Sequence, residues 1–122
     1  MREEHSVAVW TDEATLEAVG EQFVLDVLDL KSHEALVLVE KQFSYGPHNI
    51  GRPPSGVSPE TAVLVRLNDK LQRLGTLLSS GTAQPPGSES RLDSWGDLSN
   101  YGTIGTMLEL GLWPGLRKED SA

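Results

Sequence analysis

The sequence predicts an all-α fold, a compact bundle of about four helices, on three observations. Apolar residues recur at helical spacing over long stretches, one segment carries leucines at intervals of 3, 4, 3 and 4, and only one short run reads as a strand. That run, Ala35–Val39, has no second strand-like segment to pair with. Its neighbours Glu34, Glu40, Lys41 and Gln42 favour a helix.

The first helix starts at Thr11 with Glu13 and Ala14, and its face of Leu16, Val19, Phe23, Val27 and Leu30 runs through to Lys31. Ser32 caps a second helix over His33–Phe43. A Gly/Pro-rich loop over 44–57 follows. Ser58 then stands as an N-cap with Pro59 at the first helical position, opening a third helix whose Leu64, Leu67, Leu71, Leu74 and Leu78 form one continuous face ending near Gly81. A flexible connector spans 81–90, and the fourth helix runs from Leu92 to Trp113, stopped by Pro114-Gly115. A single domain of 1–122 is expected, with its core over about 12–113 and polar termini.

Composition narrows the function classes. The 122 residues include 18 acids against 10 Lys and Arg, a formal net charge of −8. A chain so acidic is a poor partner for duplex nucleic acid, whose binding depends on neutralising several phosphates. Small anions remain candidates where cations cluster. With no cysteine, disulfides, thiolate chemistry and Cys-based metal sites are excluded. No apolar run is long enough to span a membrane and no secretory signal opens the chain, so a cytoplasmic location, in a bacterial cell or phage-infected host, is expected.

Two polar faces stand out. Arg66, Asp69, Lys70 and Arg73 fall within roughly a 100° arc opposite the leucine face of the third helix. On the fourth helix Asp93, Asp97 and Asn100 form one ridge, while Trp95, Leu98, Gly102 and Gly105 form another. The second ridge reads as packing, its glycines admitting a neighbouring backbone. The first reads as a site, because two carboxylates four residues apart repel unless cations or water surround them. A cationic arc of this kind is by itself usually just a solvated surface helped by an i,i+4 Asp69–Arg73 pair. If the two helices pack antiparallel, the faces meet in one cleft. That cleft is either a salt-bridge network without a ligand or a place for a metal and a phosphorylated compound.

The order of three segments carries a resemblance. Lys41 followed by Tyr45-Gly46 and Asn49, then "RLNDKLQRL" over 66–74, then "DLSNY" over 97–101 resembles the phage and bacterial nucleotide-modification-associated domain family, across about residues 34–108. That family is similar to the all-α nucleoside-triphosphate pyrophosphatases of MazG and dUTPase type, which are helical, oligomeric and magnesium-dependent. The resemblance implies Asp93 and Asp97 as catalytic metal ligands for Mg2+. It also implies Lys41, Arg66, Lys70 and Arg73 as phosphate-neutralising groups, and metal-dependent hydrolysis of a (deoxy)nucleoside triphosphate or related nucleotide. The Glu-x-x-Glu and Glu-x-x-Asp pairs of those enzymes are absent here. The nearest substitutes are Asp26, Asp29, Glu34, Glu40 and Asp69. A module that binds and sequesters a nucleotide without cleaving it fits that absence equally well.

The remaining candidates have two readings each. Tyr45 and Tyr101 are either helix-end packing or platforms for a base. Asn49 suits a turn and can also hydrogen-bond a sugar or base edge. His5, His33 and His48 are scattered and form no metal-ligand pair. The leucine face and glycine ridge together present more packing surface than a chain of this length covers alone, so a homo-oligomer is expected.

Overall fold

A computed structural model describes residues 11–45, 50, 53, 56–80 and 90–114. Among these the fold is all-α, with no strand: α1 (Glu13–Val19), α2 (Glu21–Tyr45), α3 (Pro59–Ser80) and α4 (Arg91–Glu109). The connector and most of the Gly/Pro-rich loop lie outside the described residues, as do Asn49, His5 and His48.

The first two helices are divided differently from the sequence expectation. Asp12, one residue after the expected start, caps α1 by accepting the Thr15 N–H at 2.7 Å. The break then comes at Gly20, whose φ of 90° lies in the region that favours glycine. From Glu21 the chain stays helical through Tyr45, so no cap forms at Ser32 and the Ala35–Val39 run is helix. Across the expected break, Lys31 pairs with Glu34 at 3.4 Å. The face of Val19, Phe23, Val27 and Leu30 is exposed, and α2 buries no residue.

α3 begins as the sequence predicts. The Ser58 hydroxyl accepts the Thr61 N–H at 3.1 Å, with Pro59 opening the helix. Its buried row is shifted from the leucine heptad. Val63 and Leu74 are buried and Leu67, Lys70 and Leu77 half-buried, whereas Leu64, Leu71 and Leu78 are exposed. The inward row at 63, 67, 70, 74 and 77, spaced 4, 3, 4, 3, shares Leu67 and Leu74 with the leucine row and replaces its other three members by the residue before each, on the helix that packs against α4.

At its N-terminus α4 carries a capping box. Ser90 Oγ accepts the Asp93 N–H at 3.0 Å, and Asp93 Oδ2 accepts the Ser90 N–H at 3.3 Å. It ends four residues before the expected Trp113. Gly111, at φ 69°, donates to the Leu108 carbonyl at 3.1 Å and Leu112 to Met107 at 2.8 Å. This paired closure satisfies the last carbonyls of the helix. Trp113 then turns back into the core.

By contact the chain divides into two units, Met1–Val39 and Glu40–Ala122. In the first, α1 and most of α2 carry only half-buried and exposed side chains among the described residues. The second holds the core of Ile50, Val63, Leu74, Ile104, Leu108 and Trp113. Here α3 and α4 pack against each other, and the end of α2 belongs to the same unit. No helix among the described residues is long and apolar enough to cross a membrane.

Candidate functional site

The row that α4 turns inward is polar at its N-terminal end and apolar at its C-terminal end. Ser94, Asp97, Asn100, Ile104 and Leu108 follow at intervals of 3, 3, 4 and 4. Ser94 is completely buried and Asn100 buried, so polar groups occupy helix-contact positions where leucine would pack better. Among the described residues the Ser94 hydroxyl has no hydrogen-bond partner, which costs free energy unless a further group meets it.

Asp97 is the centre of this row. Its Oδ1 accepts from Lys41 Nζ at 3.1 Å and its Oδ2 from Lys70 Nζ at 3.0 Å. The three side chains come from α2, α4 and α3 and are 52%, 17% and 23% exposed for Lys41, Asp97 and Lys70. Lys70 projects from the packed row of α3 and is held. Lys41 reaches in from the end of α2 with half its side chain in water. Two ammoniums around one carboxylate leave a local excess of one positive charge, on a chain whose net charge is −8.

The meeting of cationic and acidic faces is therefore narrower than the sequence suggests. Lys70 does not lie opposite the buried face of α3 but on it, whereas Arg66, Asp69 and Arg73 occupy the adjoining solvent-facing arc. Asp93 is separated in task from Asp97, because one of its oxygens closes the capping box while both oxygens of Asp97 hold lysines. Tyr45, one turn beyond Lys41, is exposed, and Tyr101 is half-buried. The glycine ridge has no close neighbour: a methyl group added at Gly102 or Gly105 would meet nothing within 4 Å. Trp95 beside it is exposed. Close backbone approach is thus not the reason for these glycines within the chain.

A divalent cation held by Asp93 and Asp97 was the expectation from resemblance, and the donors do not fit it. An Mg2+ site needs carboxylate oxygens that converge and are open to the ion. Here an ammonium stands at each oxygen of Asp97, and Asp93 is turned to the helix cap. Among the described residues no group of three His, Asp or Glu side chains is placed to hold a metal ion. What the arrangement offers chemically is a pair of ammoniums, with neutral hydrogen-bonding groups one turn to either side of the carboxylate between them. Neither Ser94 nor the split of roles between Lys41 and Lys70 was found from sequence. The position of Ser94, one turn before Asp97 on the inward row, was the available clue.

Comparison with known proteins gives no match to a family model, to a curated protein or to a solved structure.

Proposed function

We propose that this protein binds a phosphorylated nucleotide without cleaving it, gripping a phosphate group with Lys41 and Lys70. The observation that carries the reading is the convergence of two lysines from different helices on one half-buried carboxylate. Ammonium groups so placed can exchange or share their acceptor with phosphate oxygens, because charge-assisted bonds to either are of similar length and strength. Tyr45, exposed one turn from Lys41, supplies a face for a base. Arg66 and Arg73, on the neighbouring arc of α3, extend the positive surface along it. The order of motifs resembling the nucleotide-modification-associated domains favours the same ligand class. Binding is preferred to hydrolysis because the described residues lack the converging carboxylates on which the metal-dependent reaction relies.

Calorimetric titration with a panel of nucleotides tests this. Saturable binding that Lys41→Ala weakens by roughly 1.5–3 kcal/mol, the scale of a charge-assisted hydrogen bond, is the expected result. Pyrophosphate release from a triphosphate in the presence of magnesium would instead restore the hydrolase reading.

A second reading has its own observation. Each oxygen of Asp97 is matched by one ammonium, which suits a tie among the three helices and no ligand at all. In that case no nucleotide binds and both lysine variants act on stability alone.

The partner proposed for the apolar surface is a second copy of the chain. Leu64, Leu71 and Leu78, all half or more exposed, repeat at seven residues beside the packed row of α3. A seven-residue apolar repeat is the pattern by which a helix packs on a copy of itself.

A further inference from the structure

The ridge of Trp95, Leu98, Gly102 and Gly105 runs between the first and last residues of α4. Arg91, Trp95, Leu98, Gly102, Gly105 and Glu109 follow at intervals of 4, 3, 4, 3 and 4, one stripe along the whole helix and separate from the inward row of Ser94, Asp97, Asn100, Ile104 and Leu108. Within the chain this stripe is little used. Trp95 is 55% exposed, Arg91, Gly102 and Glu109 are exposed, Leu98 and Gly105 are half-buried, and a methyl group added at either glycine would meet nothing within 4 Å. Both glycines weaken a helix relative to alanine. The terminal charges oppose its dipole, with a cation at the N-terminus and an anion at the C-terminus. A close neighbour from outside the chain accounts for all of these together.

The stripe complements itself when reversed. Counting nine, five and two residues to either side of Asn100 gives Arg91 with Glu109, Trp95 with Gly105, and Leu98 with Gly102. We propose that a second copy of the chain packs its α4 antiparallel on this stripe, about a two-fold axis level with Asn100. Trp95 then lies over the partner's Gly105 and Leu98 over the partner's Gly102, each bulky side chain filling the space that a glycine leaves open. Arg91 stands beside the partner's Glu109, so each charge that opposes its own helix dipole meets an opposite charge from the other copy. A parallel pair would instead set Arg91 on the partner's Arg91 and Glu109 on the partner's Glu109, which repel, and leave glycine facing glycine. Net charge also restricts where two copies can meet, since chains of −8 repel each other. This stripe carries one cation and one anion and is neutral. The pairing rests neither on the phosphate site nor on the leucine row of α3.

The test is light scattering over a concentration series on the native full chain, on Arg91→Glu and on the double variant Arg91→Glu/Glu109→Arg. Arg91→Glu sets acid against acid at both ends of the pair and is expected to weaken association at least about tenfold. The double variant restores opposite charges and is expected to return to within about threefold of the native chain. Far-UV circular dichroism separates assembly from folding, because glutamate at the first position and arginine at the last both favour the isolated helix. Gly102→Ala, which favours the helix of the separate chain, is expected to weaken association, since its methyl group meets the partner's Leu98. A native chain that stays monomeric, an Arg91→Glu chain that associates as the native one does, or a double variant as weak as the single one overturns the pairing. Loss of association in Leu71→Lys with none in Arg91→Glu overturns it too, and leaves the contact on α3 standing.

Discussion

At the scale of single residues the two lysines divide the work. Lys41 is half exposed, and its removal leaves Asp97 still paired with Lys70. Lys41→Ala is therefore expected to change unfolding free energy by no more than about 1 kcal/mol, the range of solvent-exposed pairs. Lys70 is mostly buried against α4, and Lys70→Ala is expected to cost about 1–3 kcal/mol by leaving a half-buried carboxylate short of a partner. Urea denaturation of the two variants checks the contrast, and equal losses would contradict the division. Asp12 gives a pH prediction. The Thr15 N–H, and after it the Thr15 hydroxyl, hold its carboxyl below the usual 3.8. A depressed folded pKa stabilises α1 fully above the unfolded value, and the contribution is lost as pH falls through the folded one. An NMR titration should show the Asp12 midpoint below the ordinary carboxylate range, and an ordinary midpoint would remove the cap. Asp97 could be picked out from sequence because Asp93 and Asp97, four residues apart on one ridge, repel unless cations or water surround them. Asp93, expected beside Asp97, closes the capping box that the Ser90-x-x-Asp93 spacing also encodes.

At the scale of elements, the readable features were those written in local chemistry. Ser58-Pro59 specifies the start of α3 within a few residues, and the structure keeps it. Which of two adjacent rows α3 buries depends on what α4 presents, and no local pattern contains that. The leucine row and the row beginning at Val63 share Leu67 and Leu74, and α3 buries these with Val63 while Leu64, Leu71 and Leu78 stay exposed. Helix ends followed glycine conformation: Gly20 and Gly111 have positive φ and terminate α1 and α4. Gly102 has helical backbone and open space around its α-carbon. These differences predict opposite signs. Gly111→Ala should destabilise by about 1 kcal/mol, the cost of a side chain in a left-handed conformation. Gly102→Ala should stabilise by up to about 1 kcal/mol through helix propensity. Chemical denaturation of both variants measures the pair, and a destabilising Gly102→Ala would show that a neighbouring copy of the chain packs on that glycine.

For the whole molecule, two features stand out on an acidic chain: exposed leucines along α3 and two lysines that converge on Asp97. If Leu64, Leu71 and Leu78 face a second copy, Leu71→Lys should shift the protein to a smaller species in light scattering, and a monomeric native chain would contradict that assembly. The cations pose the larger question. Ten Lys and Arg residues are spread over 122 positions, yet Lys41 and Lys70 meet 29 positions apart at one aspartate. One ammonium at each oxygen suits a structural tie and a phosphate grip alike, so ligand binding and stability have to be read on the same variant. The most direct measurement is calorimetric titration of native and Lys41→Ala protein with the nucleotide panel, alongside their unfolding curves. Saturable binding to the native chain is expected, weakened at least about tenfold by Lys41→Ala with little change in stability. No binding by the native chain, together with a stability loss in Lys41→Ala, would contradict it.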